Sequence, residues 1–390
     1  MATQITGGGL WFWDPDDDPD SPWRGEGVPE DELEHPYGGV AGSLANQLGY
    51  TGDGVTIAVS DYGFHEHDDY RDRIDGAATY DDEEEEWIQG MEYMPEDGHG
   101  TFVTGVVAGN YSGTEMTVPE WLVQQSEYDI DEPVMGDYYA GQGAAPESSL
   151  YLQEGFPDDP YEIPENAAQE SDAYVHTNSW GSSNEYDDYS SAYDEAVRDS
   201  NKNEGGNEPM IITVAIGNYG VDQNGYPKYG TAEAPAIGKN VIGVGGTETF
   251  NVDLQGEYDY FYSNPEAIYH VEGDPEYYRS ALGRTDDDRI KPDVVAPGES
   301  IIGAYQEDQY RVGNGTSYAT PNVAGSTAVV VQWYEEKYGF RPSPAMVKAL
   351  LINTAVDLDL DGLWNVLVDE EERYLIVERQ KELEVYSYDT

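Results

Sequence analysis

Cysteine is absent from the 390-residue chain, which removes disulfides, zinc–thiolate sites, iron–sulfur clusters and thiol nucleophiles together. Positive charge is scarce: 18 Lys+Arg face 79 Asp+Glu, a formal net charge of −61. So acidic a surface repels phosphate backbones and anionic lipid headgroups, and no nucleic-acid partner is expected. Long apolar runs are missing as well. No stretch reaches the roughly 18 apolar residues of a membrane span. Met1 to Leu10 carry no basic segment followed by an apolar run, so the chain is expected to be soluble and without a signal peptide. What remains is ample for a folded core: 38% of residues are hydrophobic and 33 are tyrosine, in a chain longer than one hydrophobic core usually organises.

Residues 1–38 are dense in Asp, Glu, Pro and Gly (Asp14-Pro15-Asp16-Asp17-Asp18-Pro19-Asp20) and sustain no apolar periodicity, which predicts an extended acidic lead segment. After a short helix at Ser43 to Leu48 and the Gly52-Asp53-Gly54 turn, Val55 to Ser60 is a β-prone run of buried-strand type. Similar runs follow at Ser149 to Gln153, Tyr174 to Trp180, Met210 to Ile216 and Val241 to Val244. Helical patterns alternate with them at Gly100 to Ala108, Tyr189 to Val197, Thr316 to Tyr338 and Pro344 to Ala355, the last with Ser343 as N-cap and Pro344 at its first position. Strands alternating with helices predict an α/β fold with a mostly parallel central sheet covered by helices on both faces. The acidic runs Asp81 to Glu86 and Asp286 to Asp288 are expected to be solvated loops. Residues 362–390 change to short apolar stretches separated by charges, a strand-like tail.

Chemistry concentrates in four places. Gly315-Thr316-Ser317-Tyr318-Ala319-Thr320-Pro321 opens the longest helical pattern, so the Ser317 hydroxyl sits beside unpaired backbone N–H groups. A serine needs a base to become a nucleophile, and the base needs a carboxylate to orient it. Of only six histidines, His99 in Asp97-Gly98-His99-Gly100-Thr101 precedes a helix and is the best base candidate. Asp61 ends the first buried strand, where a carboxylate can be held next to a helix-borne imidazole. Gly217-Asn218 ends another strand, with an amide able to donate to an oxyanion.

These boxes resemble those of the subtilisin-like serine proteases, the subtilases. The match is carried by Asp61-Tyr62-Gly63, Gly98-His99-Gly100-Thr101, Gly217-Asn218 and Gly315 to Pro321, in the chain order Asp, His, Ser of that class. The last box alone would recur by chance on the order of 10⁻⁵ per chain of this length. Secondary matches at His176 to Gly181 and at Gly283-Arg284 with Arg289 to Gly298 resemble the branch that often carries a C-terminal β-sandwich. The resemblance implies a three-layer subtilisin-like fold over residues 39–361 and a serine endopeptidase with Asp61, His99 and Ser317 as triad and Asn218 in the oxyanion hole. It implies a cleft lined by Ser179, Trp180, Gly181, Ile216 and Gly217 that pairs with an extended peptide. Protein or peptide substrates, a monomer and an extracellular location go with it, with the cytoplasm of a salt-accumulating halophile as the alternative location. No cofactor is needed for the chemistry, although the family often staples surface loops with calcium. Four residues depart from the pattern: Tyr62 stands where Thr or Ser is usual, Tyr318 where Met is usual, and Asn322 and Phe102 where His is common.

Other candidates carry less. His65 and His67 alternate at i, i+2, a spacing commonly found on surfaces rather than around a metal. His176 fits a structural strand histidine. Asp357, Asp359 and Asp361 could bind calcium, but an EF-hand is excluded because Val368 stands at its twelfth place. The acidic excess predicts a fold that needs salt.

Overall fold

A computed structural model describes residues 44–91, 98–110, 142–202, 207–220, 228–247, 280–298, 301–305 and 309–355. The acidic lead segment, the Asp357 to Asp361 carboxylates and the tail 362–390 lie outside the described residues.

The first predicted strand forms as β1 (Thr56–Ser60), entered through Gly52 and Gly54, both at positive φ. β2 (Ile74–Asp81) and β3 (Glu86–Gln89) follow, then α2 (Gly98–Ala108) after a short α1 (Leu44–Gln47) that precedes β1. β4 (Ser149–Glu154), α3 (Glu162–Glu170), β5 (Ala173–Asn178), α4 (Asp188–Ala196), β6 (Ile211–Ala215) and β7 (Ile242–Thr247) continue the alternation. Beyond them come the short β8 (Gly283–Arg284) and β9 (Ile290–Lys291), then β10 (Val294–Pro297), β11 (Ile301–Tyr305) and β12 (Gln309–Gly313). α5 (Thr316–Tyr338) and α6 (Pro344–Thr354) close the described chain.

Eight strands form one sheet in the order β10-β7-β6-β5-β1-β4-β2-β3. All its pairings are parallel except β2 with β3. The strands alternate between two cores, as the period of two requires. Ile57 and Val59, Leu150 and Leu152, Val175 and Ile211 face the core shared with α2 and α5. Ala58, Tyr151, Ile212 and Val214 face Ala167 of α3 and Ala192, Tyr193 and Ala196 of α4. Both faces of the sheet are therefore covered by helices, as the alternation predicted.

Two local features explain how the last helices sit. Gly339 takes φ +79 at the end of α5, a left-handed cap that a residue with a Cβ adopts only at a cost. Ser343 accepts from the Met346 N–H at 3.3 Å to start α6. The Lys348 ammonium of that helix reaches Asp293 at 2.9 Å, and Lys291 reaches the other oxygen of the same carboxylate at 2.7 Å. One acidic side chain thus joins α6 to the segment leading into β10.

Three expectations change. Asp81 to Glu86 is not simply a loop: its ends lie in β2 and β3, and the Asp81 carboxylate accepts from the Glu83 and Glu84 N–H groups to close the hairpin turn between them. Charge density hid the strands, because the pattern was acidic where it bent and mixed where it paired. Helix α3 was not anticipated, as its only fully buried apolar residues are Ile163, Pro164 and Ala167. His67 is buried, not exposed: its ring stacks on Tyr70 at 5.9 Å and its Nδ1 accepts the Asp69 N–H at 3.1 Å. By contrast, Asp286 to Asp288 is the exposed turn between β8 and β9 that the charge run suggested. There the Arg289 guanidinium and the Thr285 hydroxyl hold the Asp287 carboxyl down to about 2.

Candidate active site

Because the strands are parallel, β1, β5 and β6 deliver their C-terminal ends to the same edge of the sheet. The strand order reverses around β1, which pairs with β4 on one side and β5 on the other, and crevices open at such points. Asp61 follows β1, Ser179 to Gly181 follow β5, and Ile216 to Asn218 follow β6.

Asp61 is wholly buried, while the His99 side chain is 19% exposed. His99 Nδ1 lies 2.6 Å from Asp61 Oδ1, which also accepts the Tyr62 N–H at 2.8 Å. An ionised carboxylate can only accept, so Nδ1 carries the proton and Nε2 is left as the basic nitrogen. α2 holds the ring in place through its own entry: the Gly100 and Thr101 N–H groups donate to the carbonyls of Tyr62 and Gly63. The imidazole lies between two tyrosines, flat on Tyr62 at 5.1 Å and 3° and tilted against Tyr318 at 5.7 Å. Both are among the positions at which the sequence departs from the subtilase pattern.

Ser317 occupies the first turn of α5, where its N–H has no intrahelical acceptor. Pro321 lies four residues on and has no N–H, so the Ser317 carbonyl loses its helical donor. Ser179 supplies the missing one: its hydroxyl donates to the Ser317 carbonyl at 2.7 Å, and the Ser317 hydroxyl donates back to the Ser179 carbonyl at 3.1 Å. The helix entrance is thereby fastened to the end of β5. The proline in that box, by lacking an N–H, leaves the Ser317 carbonyl to Ser179.

Asn218 is oriented from behind. Its Oδ1 accepts the Thr316 N–H at 2.9 Å and the Thr316 hydroxyl at 3.0 Å, leaving Nδ2 as the end that can donate. Gly217 before it takes φ +105, a conformation glycine adopts without strain. Trp180 is half-buried and packs edge-on against Phe156, Tyr189 and Tyr193 at 5.0 to 5.8 Å. Its indole sits in an aromatic cluster on the α4 side, a packing role.

Among the described residues, no group of three or more His, Asp or Glu is arranged to hold a metal ion. His176 lies in the interior of β5 with no exposure at all, as a strand histidine should. The sequence assigns Thr316 no role beyond membership of its box, and here it aims Asn218; it does not single out Glu233, whose carboxylate abuts Gly181 and Gly217. Nothing in the sequence distinguishes Glu233 from the other acidic residues.

The solved structure of an S41 psychrophilic protease aligns with a TM-score of 0.51 at 23% identity, covering 78% of this chain and 83% of that one, a likeness of fold. The Subtilase family matches residues 52–373, and the chain belongs to that family. Among individual proteins, it is 26% identical over 326 residues to the membrane-bound transcription factor site-1 protease of Homo sapiens, covering 79% of this chain. It is also 26% identical over 328 residues to the serine protease AprX of Bacillus subtilis (strain 168), covering 78% of this chain. The chain spans 24% of the length of the first relative and 61% of the second. No helix among the described residues is long and apolar enough to cross a membrane.

Proposed function

We propose that this chain is a serine endopeptidase that cleaves protein or peptide chains through an acyl-enzyme on Ser317. The observation that carries the reading is the 2.6 Å contact of His99 with buried Asp61, at the same sheet edge as Ser317 and Asn218. The substrate lies extended along Ser179 to Gly181. As the Ser317 hydroxyl turns from the Ser179 carbonyl, His99 Nε2 takes its proton and Oγ attacks the substrate carbonyl. The oxyanion accepts from Asn218 Nδ2 and the Ser317 N–H, for neither of which the described residues supply another acceptor. Asp61 keeps the imidazole in the Nδ1–H tautomer and stabilises it once it is charged. His99 then returns the proton to the leaving amine, and water repeats the sequence to release the acyl group.

The test is covalent labelling with a fluorophosphonate, which reports the activated serine independently of any substrate preference. Wild-type protein should label on Ser317 and hydrolyse casein, and Ser317→Ala should do neither. A Ser317→Ala variant that digests casein at the wild-type rate would falsify the assignment.

The same reading extends to conditions. With 79 carboxylates and only 18 basic side chains, pairing can neutralise a minority. The screening length falls from about 30 Å at 0.01 M salt to about 3 Å at 1 M, so repulsion beyond near neighbours vanishes in brine. Far-UV dichroism and activity at pH 7 should both rise with KCl between about 0.05 and 4 M, across the span in which screening becomes short-ranged. A fold most stable at the lowest salt removes this extension and leaves the peptidase reading intact.

A further inference from the structure

The slot beside the reacting atoms ends in a carboxylate. Glu233 is tied to both walls of the cleft through its backbone. Its own N–H donates to the Ile216 carbonyl at 3.0 Å, and the next residue, Ala234, exchanges hydrogen bonds with Ser182 and Ser183 at 2.9 and 2.6 Å. The loop therefore spans from the end of β6 to the end of β5. Its side chain points into the gap between them. A Cβ built on Gly181 would collide with Glu233 Oε2, and one built on Gly217 would lie 2.7 Å from its Cδ. Two residues without side chains thus frame one carboxylate.

That carboxylate is unmatched. Among the described residues it takes part in no ion pair and accepts no hydrogen bond, although it is half-buried and burial pushes its pKa up. Holding an unpaired charge away from water is costly, and an incoming cation offsets that cost. An apolar group would instead strip the remaining water from the carboxylate and replace it with nothing.

We propose that Glu233 is a specificity-determining residue that selects lysine or arginine on the amino side of the cleaved bond. The inference rests on the peptidase reading above. If the attacked carbonyl sits at Ser317 Oγ with its oxygen toward Asn218, and the preceding backbone pairs with Ser179 to Gly181, the adjoining side chain enters between that strand and Ile216-Gly217. There the aliphatic stem of a lysine or arginine runs along backbone walls and its cationic head meets Glu233. The choice has a consequence for the enzyme itself: only 18 Lys and Arg occur in its 390 residues, so it offers itself few sites to cut.

The experiment compares fluorogenic peptides that differ only at that residue, Arg, Lys, Leu, Phe or Glu, with wild type and Glu233→Gln, each normalised to the fraction of Ser317 labelled by fluorophosphonate. The isosteric amide keeps the shape and removes the charge. Wild type should cleave the Arg and Lys peptides with the highest kcat/KM. The ratio of Arg to Leu should fall by about 10- to 100-fold in Glu233→Gln, the range for one hydrogen-bonded charge. A labelled wild type that prefers Leu or Phe, or an unchanged Arg-to-Leu ratio in a labelled Glu233→Gln, overturns this inference and leaves the peptidase reading standing. Wild-type protein that fails to label at all overturns both.

Discussion

The cleft around His99 and the interior around His176 place the same side chain in opposite surroundings. His99 has a carboxylate on Nδ1 and partial exposure. His176 has neutral amides on both nitrogens: Nε2 lies 3.1 Å from Gln153 Oε1, and Nδ1 lies 2.9 Å from Asn178 Nδ2. Those amides cannot turn over. Gln153 Nε2 donates to the Ile163 carbonyl and to Asn166 Oδ1, and Asn178 Oδ1 accepts the Tyr193 hydroxyl. His176 is therefore held as the neutral Nε2–H tautomer, and burial drives its pKa down to about 3. A second proton would set Nδ1–H against the Asn178 N–H group. The difference teaches that the partner, more than the histidine, decides whether the ring can take up charge: a carboxylate invites the second proton and a fixed amide refuses it.

The sharpest way to break the comparison is to give the cleft the interior's chemistry. Asp61→Asn replaces the carboxylate by an amide and lets His99 adopt the wrong tautomer, so kcat should fall by about 10⁴-fold, the loss that this change causes in a serine-protease triad. His99→Ala removes the proposed base altogether, with an expected loss of about 10⁶-fold, as for the corresponding residue in subtilisin. Steady-state hydrolysis of a peptide by folded, dichroism-matched variants measures both. Equal losses in Asp61→Asn and in a substitution remote from the cleft would show that Asp61 has no special hold on the ring.

Much of this was legible in the sequence, and unevenly so. Strand runs such as Val55 to Ser60 and the Ser343-Pro344 helix start were read within a residue or two, because burial on both sheet faces and a capped start leave local patterns. The candidate residues Asp61, His99, Asn218 and Ser317 stand in short boxes, and chemistry at a strand end or a helix start demands particular residues at fixed spacing. The hairpin of β2 and β3 and helix α3 were not legible. Their polar faces look out to solvent in a chain where acidic residues are everywhere, so periodicity is blurred. Glu233 escaped for another reason, as did the roles of Thr316 and Pro321 within their quoted box: Thr316 bonds Asn218, Pro321 leaves the Ser317 carbonyl to Ser179, and Glu233 abuts Gly181, and no local pattern encodes a partner so distant along the chain.

The interior histidine makes a prediction of intermediate size. Its folded pKa is about 3 against 6.5 unfolded, so between those values the unfolded chain binds the extra proton. Stability then rises with pH through this window and is lost as pH falls below 6.5, by about 1.4 kcal/mol per pH unit. Between pH 7 and pH 5, His176 should account for a loss of about 2 kcal/mol. In His176→Gln that share of the acid loss disappears, while carboxylates titrate alike in both proteins and cancel. Urea unfolding at the two pH values, in high salt, gives the difference directly. Identical pH slopes for wild type and variant would mean that His176 accepts a proton in the folded state, and that its amide neighbours do turn.

The smallest effect expected concerns what the two histidines share, aromatic neighbours. Tyr193 meets His176 edge-on at 6.2 Å and interplanar 89°, whereas Tyr62 lies flat on His99 at 5.1 Å. An edge-on ring presents its rim or receives one, and discriminates little between neutral and charged imidazole at that distance. A flat ring offers its electron-rich face to a cation. Tyr62 should thus favour the imidazolium that the proposed mechanism forms on His99, as well as covering a ring that is already partly exposed. Aromatic pairs contribute about 0.5–1.5 kcal/mol, so Tyr62→Ala should lower kcat about 2- to 10-fold, and Tyr62→Phe, which keeps the face, should recover most of it. Tyr62 is itself 46% exposed, so its removal leaves no buried cavity and stability should barely change. If Tyr62→Ala and Tyr62→Phe slow the reaction equally, the hydroxyl matters and the stacked face does not. If neither slows it, the carboxylate alone controls His99, and the contrast between cleft and interior reduces to Asp61 against Gln153 and Asn178.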